Sequence, residues 1–193
     1  MIVSCACFIL AGGKSSRFGT NKSLALVNSH PMAMIVANNM QSGFGCEAKL
    51  IGADQQTSLL LGLETFNGYR EGNGPLAAII DAMEVSDQEF VAFAPNDTPF
   101  FTASNFGALL VEMEDPSVDV AVAVDETDPT RAHWLLSVWR KSPCLPKILA
   151  EECGTSLIPV REAMRALESD GLVTFIHNRG AWVSPISIDD LND

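Results

Sequence analysis

The chain has 193 residues, 47% of them hydrophobic, and a formal net charge of −12. That length supports one sizeable core and a single domain, and the acidic balance argues against binding nucleic acid over a broad surface, which needs clustered Lys and Arg. No apolar run approaches the ~20 residues of a membrane helix, so neither nucleic acid nor membrane is expected as a partner.

Charge is unevenly distributed. The first 46 residues contain Lys14, Arg17 and Lys22 and no Asp or Glu, whereas the rest carries all 24 acids. A local positive pocket of this kind suits one small polyphosphate.

Residues 1–12 are apolar, lack a basic leader and run into a Gly-rich turn, so they read as a strand over Val3 to Leu10 and not a signal peptide. The adjacent Gly12 and Gly13 then open a basic loop. Pro31 to Ser42 reads as a helix with proline in its first turn and Gly43 as its stop. Lys49 to Ile51 is a short strand, Gln56 to Leu63 a helix, and Gly74-Pro75 opens a helix reaching about Met83. The strand Phe90 to Ala94 runs into Pro95-Asn96-Asp97-Thr98-Pro99. A helix over Ser104 to Met113, strands over Val118 to Val124 and His133 to Trp139, one or two helices within Leu145 to Leu167 and a strand over Leu172 to Ile176 complete the pattern. Strands alternating with amphipathic segments predict an α/β fold with a mostly parallel sheet. The five cysteines are odd in number and include no C-x-x-C pair, so buried reduced thiols are expected, in a cytoplasmic setting, and not a disulfide or zinc framework.

The glycine loop follows the first strand and so lies at the carboxyl edge of the sheet, where open α/β proteins bind ligands. Glycines there can adopt positive φ and present backbone N–H groups to phosphate. Neither G-x-x-x-x-G-K-[ST] nor G-x-G-x-x-G fits this stretch, and by itself a Gly-Gly turn with three basic residues is a solvated loop as readily as a phosphate site. Asp97, at the tip of an apolar strand, offers hard carboxylate oxygen to a divalent cation; an Asx turn or helix cap is the alternative role. Asp54 is equally suited to capping the following helix.

Leu10 to Lys22 matches L-A-G-G-x-S-x-R-[MF]-G-x-[DN]-K, Gly74-Pro75-Leu76-Ala77 matches G-P-L-[AG], and Pro95 to Phe100 is similar to P-C-D-x-P-[FY]. In that order the three segments resemble the MobA-like nucleotidyltransferases, and most closely the molybdenum cofactor guanylyltransferases, over about the first 100 residues. The resemblance implies a three-layer Rossmann-like nucleotidyltransferase domain spanning 1–193, with residues 1–100 as the nucleotide-binding half and 101–193 as the half for the second substrate. It implies transfer of GMP from Mg·GTP to a molybdopterin-type cofactor with release of pyrophosphate, and molybdoenzyme assembly proteins as further partners. Arg17, Lys22 and Asp97 are then the catalytic candidates. Leu10, Ala11, Gly12, Gly13, Lys22, Gly74 and Asp97 contact nucleotide, and Asp97 holds Mg²⁺, for which Mn²⁺ can substitute. Gly52 and Asp54 fall near the base-reading edge, Asn67 and Glu71 in a zone where the family has an acidic nucleotide contact, and Arg131-Ala132-His133 in the segment facing the pterin.

Two departures stand out. Asn21 replaces the Asp that usually precedes the lysine. The family's N-x-N-T-P-E-D-L end is Ser184-Pro185-Ile186-Ser187-Ile188-Asp189-Asp190-Leu191, with no asparagine to help hold metal, which leaves Asp189, Ser187 or water for that place. Another nucleotidyltransferase, using CTP or a sugar phosphate, and a weakly catalytic nucleotide- or cofactor-binding protein are the alternative functions.

Overall fold

The computed structural model describes residues 4–12, 21–68, 70, 74–125, 128, 131–152, 174–176 and 180–182. Its centre is a six-stranded sheet in the order β5-β4-β1-β6-β8-β7. The strands are β1 (Cys5–Leu10), β4 (Ala48–Ile51), β5 (Thr65–Phe66), β6 (Phe90–Pro95), β7 (Val120–Val124) and β8 (Ala132–Arg140). Strands β5, β4, β1 and β6 are mutually parallel, and β8 pairs antiparallel with β6 and β7. Two short hairpins accompany it, β2 (Leu26–Val27) with β3 (His30–Pro31), and β9 (Thr174–Ile176) with β10 (Gly180–Trp182).

Period-two alternation builds both faces of the sheet. Cys5, Cys7 and Ile9 of β1, Ala92 and Ala94 of β6 and Ala121 and Ala123 of β7 turn to one side, where they meet α1 (Met32–Phe44) and α4 (Ala103–Glu112). Phe8 and Leu10, Val91 and Phe93, and Val120 and Val122 turn to the other, beneath α3 (Pro75–Val85) and α5 (Lys141–Glu152). The result is three layers. Small sheet side chains on the first face leave room for Met40, Phe44, Phe106 and Met113 from the helical layer and the turn ending it, as close packing requires. Trp139 is buried on the second face, and its indole N–H donates to the buried Ser137 hydroxyl at 2.7 Å, so the ring enters the core with its polar atom satisfied.

Several expectations need correction. Gly43 does not end α1. It lies inside the helix, and the stop is Gly45 in the left-handed region at φ 75°, its N–H donating to Gln41 O. Gly43 serves packing instead, since a Cβ there would come within 2.6 Å of Ala103 O and of Phe106 Cβ on α4. Helix α5 begins at Lys141, four residues before the expected start, with Pro143 in the first turn, where the missing N–H costs nothing. Residues 153–167 lie outside the described residues. Cys5, Cys7 and Cys144 are buried free thiols as expected, but Cys46 is only half-buried; its Sγ lies 2.7 Å from Cys7 Sγ. Among the described residues no helix is long and apolar enough to cross a membrane.

Alanine normally stabilises a helix relative to glycine by ~1 kcal/mol. At Gly43 the clash with α4 reverses that sign, because overpacking costs ~1–3 kcal/mol. Gly43→Ala should therefore lower the urea midpoint and the melting temperature; an increase in either would show that α1 and α4 are not in this close contact.

Candidate nucleotide and metal site at the carboxyl edge of the sheet

The ends of three neighbouring strands are stitched together at one edge. Ala11 N–H donates to Ile51 O at 3.0 Å, and Asn96 N–H donates to Leu10 O at 3.2 Å, joining the exits of β1, β4 and β6. Leu10 itself is buried in the core, so its backbone and not its side chain faces this edge. Beyond it, Gly12 and Gly52 press backbone against backbone. A Cβ on Gly52 would stand 2.9 Å from Gly12 Cα, and Gly52 has φ +77°, so both crowding and conformation demand glycine there. Gly13, Lys14 and Arg17 lie outside the described residues.

At this edge the residues Lys22–Leu24 form a single 3-10 turn, and the side chains of Asn21, Ser23, Thr57 and Asn96 fix it. Asn21 Oδ1 accepts from Ser23 N–H at 3.0 Å, and Asn21 Nδ2 donates to Thr57 Oγ1 on α2 (Gln55–Leu61). The fully buried Ser23 accepts from Asn96 Nδ2 at 2.7 Å. Asparagine at position 21 thus caps the turn and also donates to α2. The carboxylate usual at this position cannot donate.

Lys22 and Asp97 meet as a consequence. Lys22 Nζ lies 3.3 Å from Asp97 Oδ2, with the two side chains 36% and 44% exposed. Asp97 follows β6 in a turn closed by Thr98 Oγ1 donating to Pro95 O at 2.8 Å and by Phe101 N–H donating to Thr98 O. The turn is moored to α1 by Asn39 Nδ2, which donates to Phe101 O at 3.0 Å. The cap of α4 is Thr102, in a reciprocal capping box with Asn105, so Asp97 does not serve there. Phe100 at the same edge is 81% exposed.

The remaining candidates divide between ligand edge and scaffold. Asp54 is the N-cap of α2, accepting from Thr57 N–H at 2.6 Å, and that backbone hydrogen bond, more than the other groups nearby, lowers its pKa. Gly74, at φ +90°, opens α3 without a side-chain cap and with proline at the first position, which leaves backbone N–H groups of that helix end toward the edge. Arg131 and His133 are exposed at the start of β8, whose antiparallel course brings them to the edge that carries Asp97. Asn67 is described beside β5. Glu71, Ser187 and Asp189 lie outside the described residues. Among the described residues no three His, Cys, Asp or Glu side chains gather as a metal cage. Asp97 fits a cation that takes its remaining oxygens from phosphate and water, as Mg²⁺ does.

Sequence reasoning missed Asn96 and Ser23. The only signal was that Asn96 occupies the cysteine position of the P-C-D-x-P-[FY] pattern; its use becomes visible only when Ser23, 73 residues earlier, lies beside it.

Gly52 and Gly62 separate conformational cost from packing. Both have positive φ, but a Cβ on Gly62 meets nothing within 4 Å. Gly62→Ala should lose about 1 kcal/mol from the left-handed conformation alone. Gly52→Ala should lose clearly more on urea unfolding, by displacing Gly12. Equal losses would contradict the backbone contact.

The chain matches the MobA-like NTP transferase domain over residues 7–171. It is 38% identical over 140 residues to a probable molybdenum cofactor guanylyltransferase of Deinococcus radiodurans, covering 72% of this chain and 69% of that one. It is 25% identical over 195 residues to a molybdenum cofactor guanylyltransferase of Haemophilus influenzae strain 86-028NP, covering 99% and 97%. Among solved structures, the molybdopterin-guanine dinucleotide biosynthesis protein A of Archaeoglobus fulgidus superposes with a TM-score of 0.60 at 17% identity, covering 96% and 94%, which shows a shared fold. A family match across most of the chain, on a sheet whose carboxyl edge carries the glycine contact, Lys22 and Asp97, establishes that this protein belongs to the MobA-like NTP transferase domain family and is a nucleotidyltransferase.

Proposed function

We propose that the protein transfers GMP from Mg·GTP to the terminal phosphate of a molybdopterin-type molybdenum cofactor, releasing pyrophosphate. The observation that carries this reading is the Lys22–Asp97 pair, 3.3 Å apart at the carboxyl edge and next to the Gly12–Gly52 contact. The relatives named as molybdenum cofactor guanylyltransferases support guanine as the base and the molybdenum cofactor as the acceptor.

An exposed ion pair is worth ~0–1 kcal/mol. A triphosphate, with several negative charges, therefore draws Lys22 away from Asp97 and leaves the carboxylate available. In-line attack by the acceptor's phosphate oxygen forms the new bond to the α-phosphorus while the bond to the β-phosphate oxygen breaks, so the protein's work is positioning and charge neutralisation. Leu10, Ala11, Gly12 and Gly13 present backbone to the nucleotide, Gly74 begins the helix beside it, and Arg17 and Lys22 offset charge on the leaving pyrophosphate. Asp97 would hold Mg²⁺, or Mn²⁺ in its place, which adds positive charge at the phosphates. Residues 1–100 form the nucleotide half of one domain spanning 1–193, and residues 101–193, with Arg131 just before β8 and His133 on it, both exposed, form the pterin half. The setting is the cytoplasm, where molybdoenzyme assembly proteins would take up the product.

Two substitutions test this. Lys22→Met keeps the aliphatic stem and removes the charge, and should reduce turnover of Mg·GTP roughly 10²-fold, the scale of one lost transition-state donor. Asp97→Asn should depress turnover and regain part of it at high Mg²⁺ or with Mn²⁺, with metal-free GTP affinity nearly unchanged. Wild-type rates for either variant in a pyrophosphate-release assay would remove that residue from the chemistry.

A further inference from the structure

Away from the phosphate end, α3 carries a buried charge that the reaction does not use. The Asp81 side chain is 2% exposed. Its Oδ2 accepts from Arg70 backbone N–H at 2.9 Å, and its Oδ1 accepts from Arg70 Nη1 at 2.5 Å. The same guanidinium donates to Glu84, with Nη1 at 2.8 Å and Nη2 at 3.4 Å from its two carboxylate oxygens. Asp81 and Glu84 are three residues apart, hence on one face of α3. Gly68 lies flat against this group; a Cβ on it would fall 1.9 Å from Asp81 Oδ2.

Burying a carboxylate is costly even when it is paired, and an apolar residue of similar size would hold α3 to its surroundings at least as well. What an apolar residue lacks is directional grip on the backbone of Arg70. The charge therefore serves placement: it fixes where the chain runs after β5.

That course lies beside the glycine contact, because Gly52 N–H donates to Phe66 O at 3.1 Å at the end of β5. In the sheet, β5 is two strands from β1, or about 10 Å at the usual spacing. This is roughly the reach of a nucleoside from its α-phosphate. On the nucleotidyltransferase reading, phosphates over β1 and β6, at Gly12, Lys22 and Asp97, direct the nucleoside across β4 toward β5.

Resting on the nucleotidyltransferase reading above, we propose that the Arg70–Asp81–Glu84 cluster is a positioning device that fixes Asn67, Gly68 and Arg70 as the base-side wall of the nucleotide site and so sets nucleotide affinity and base preference. Asp81 acts through Arg70 and does not touch the substrate.

The test measures nucleotide KM and kcat for GTP and CTP with Mg²⁺ and the molybdopterin cofactor, alongside melting temperature, for Asp81→Asn and Arg70→Lys. The amide introduced by the first substitution still accepts from Arg70 N–H but loses the charge pairing. That variant should raise the GTP KM roughly tenfold and narrow the GTP-to-CTP preference, leaving kcat at saturation and the cofactor KM near wild type. Arg70→Lys, whose ammonium cannot fork between two carboxylates, should fall between, and it carries the test if Asp81→Asn fails to fold. A lower melting temperature or kcat with unchanged nucleotide KM and preference in the folded variants would overturn the proposal, since that is what a merely structural ion pair produces. If the wild type binds a nucleotide without turnover, dissociation constants replace KM; the transferase reading then fails while the positioning role is still decided. If it binds neither nucleotide, both fall.

Discussion

The site depends on the hydrogen bond between Asn96 and the buried Ser23, which joins segments 73 residues apart in the chain. Asn96 adjoins Asp97 and Ser23 adjoins Lys22, so one partly buried polar contact brings a cation and an anion to 3.3 Å. A surface ion pair alone could not do this, because its Coulomb gain is offset by the entropy of ordering two long side chains. The neighbouring contacts act to the same end. Asn21 ties the Lys22 turn to α2, Asn39 ties the Asp97 turn to α1, and the Gly12–Gly52 contact closes the strand exits between them.

Structural side chains and the candidate site lie at different ends of the sheet. At the amino end of β6, Arg140 is fully engaged in structure. Its guanidinium stacks 4.8 Å from the Phe90 ring centre and donates to Val118 O, Met113 O and Asp115 O, which holds the turn after α4. At the carboxyl end, Lys22 and Asp97 remain more than a third exposed. Polar side chains at that edge are held by tight local contacts and keep their charged tips toward solvent, an arrangement that can exchange a weak internal partner for a multiply charged ligand.

Much of this was legible in the sequence. The strand ends at Leu10, Ile51 and Ala94 to Pro95 follow from apolar runs that stop at glycine or proline, and the basic loop was visible by charge alone. Asp54 as a cap followed from its position before α2. What the sequence hid was non-local. The reversed direction of β8 leaves no mark in its alternation, since either direction buries the same residues. Strands β2, β3 and β5 are two residues long, too short for any period. Gly43 looked like a helix stop because the sequence does not reveal that α4 passes within contact of it. The role of Asp81 was equally invisible: an acid within an apolar helix stretch gives no sign that Arg70 folds back onto it.

The measurement that bears most directly on the central claim is product analysis after incubation of the full chain with Mg²⁺, the molybdopterin cofactor and an equimolar mixture of GTP, CTP, ATP and UTP. The account predicts one pyrophosphate released for each cofactor molecule that gains a guanylyl group, the mass of GMP less one water, with the other three nucleotides largely unspent. A cofactor that gains CMP, or nucleotide binding with no pyrophosphate released, would contradict it.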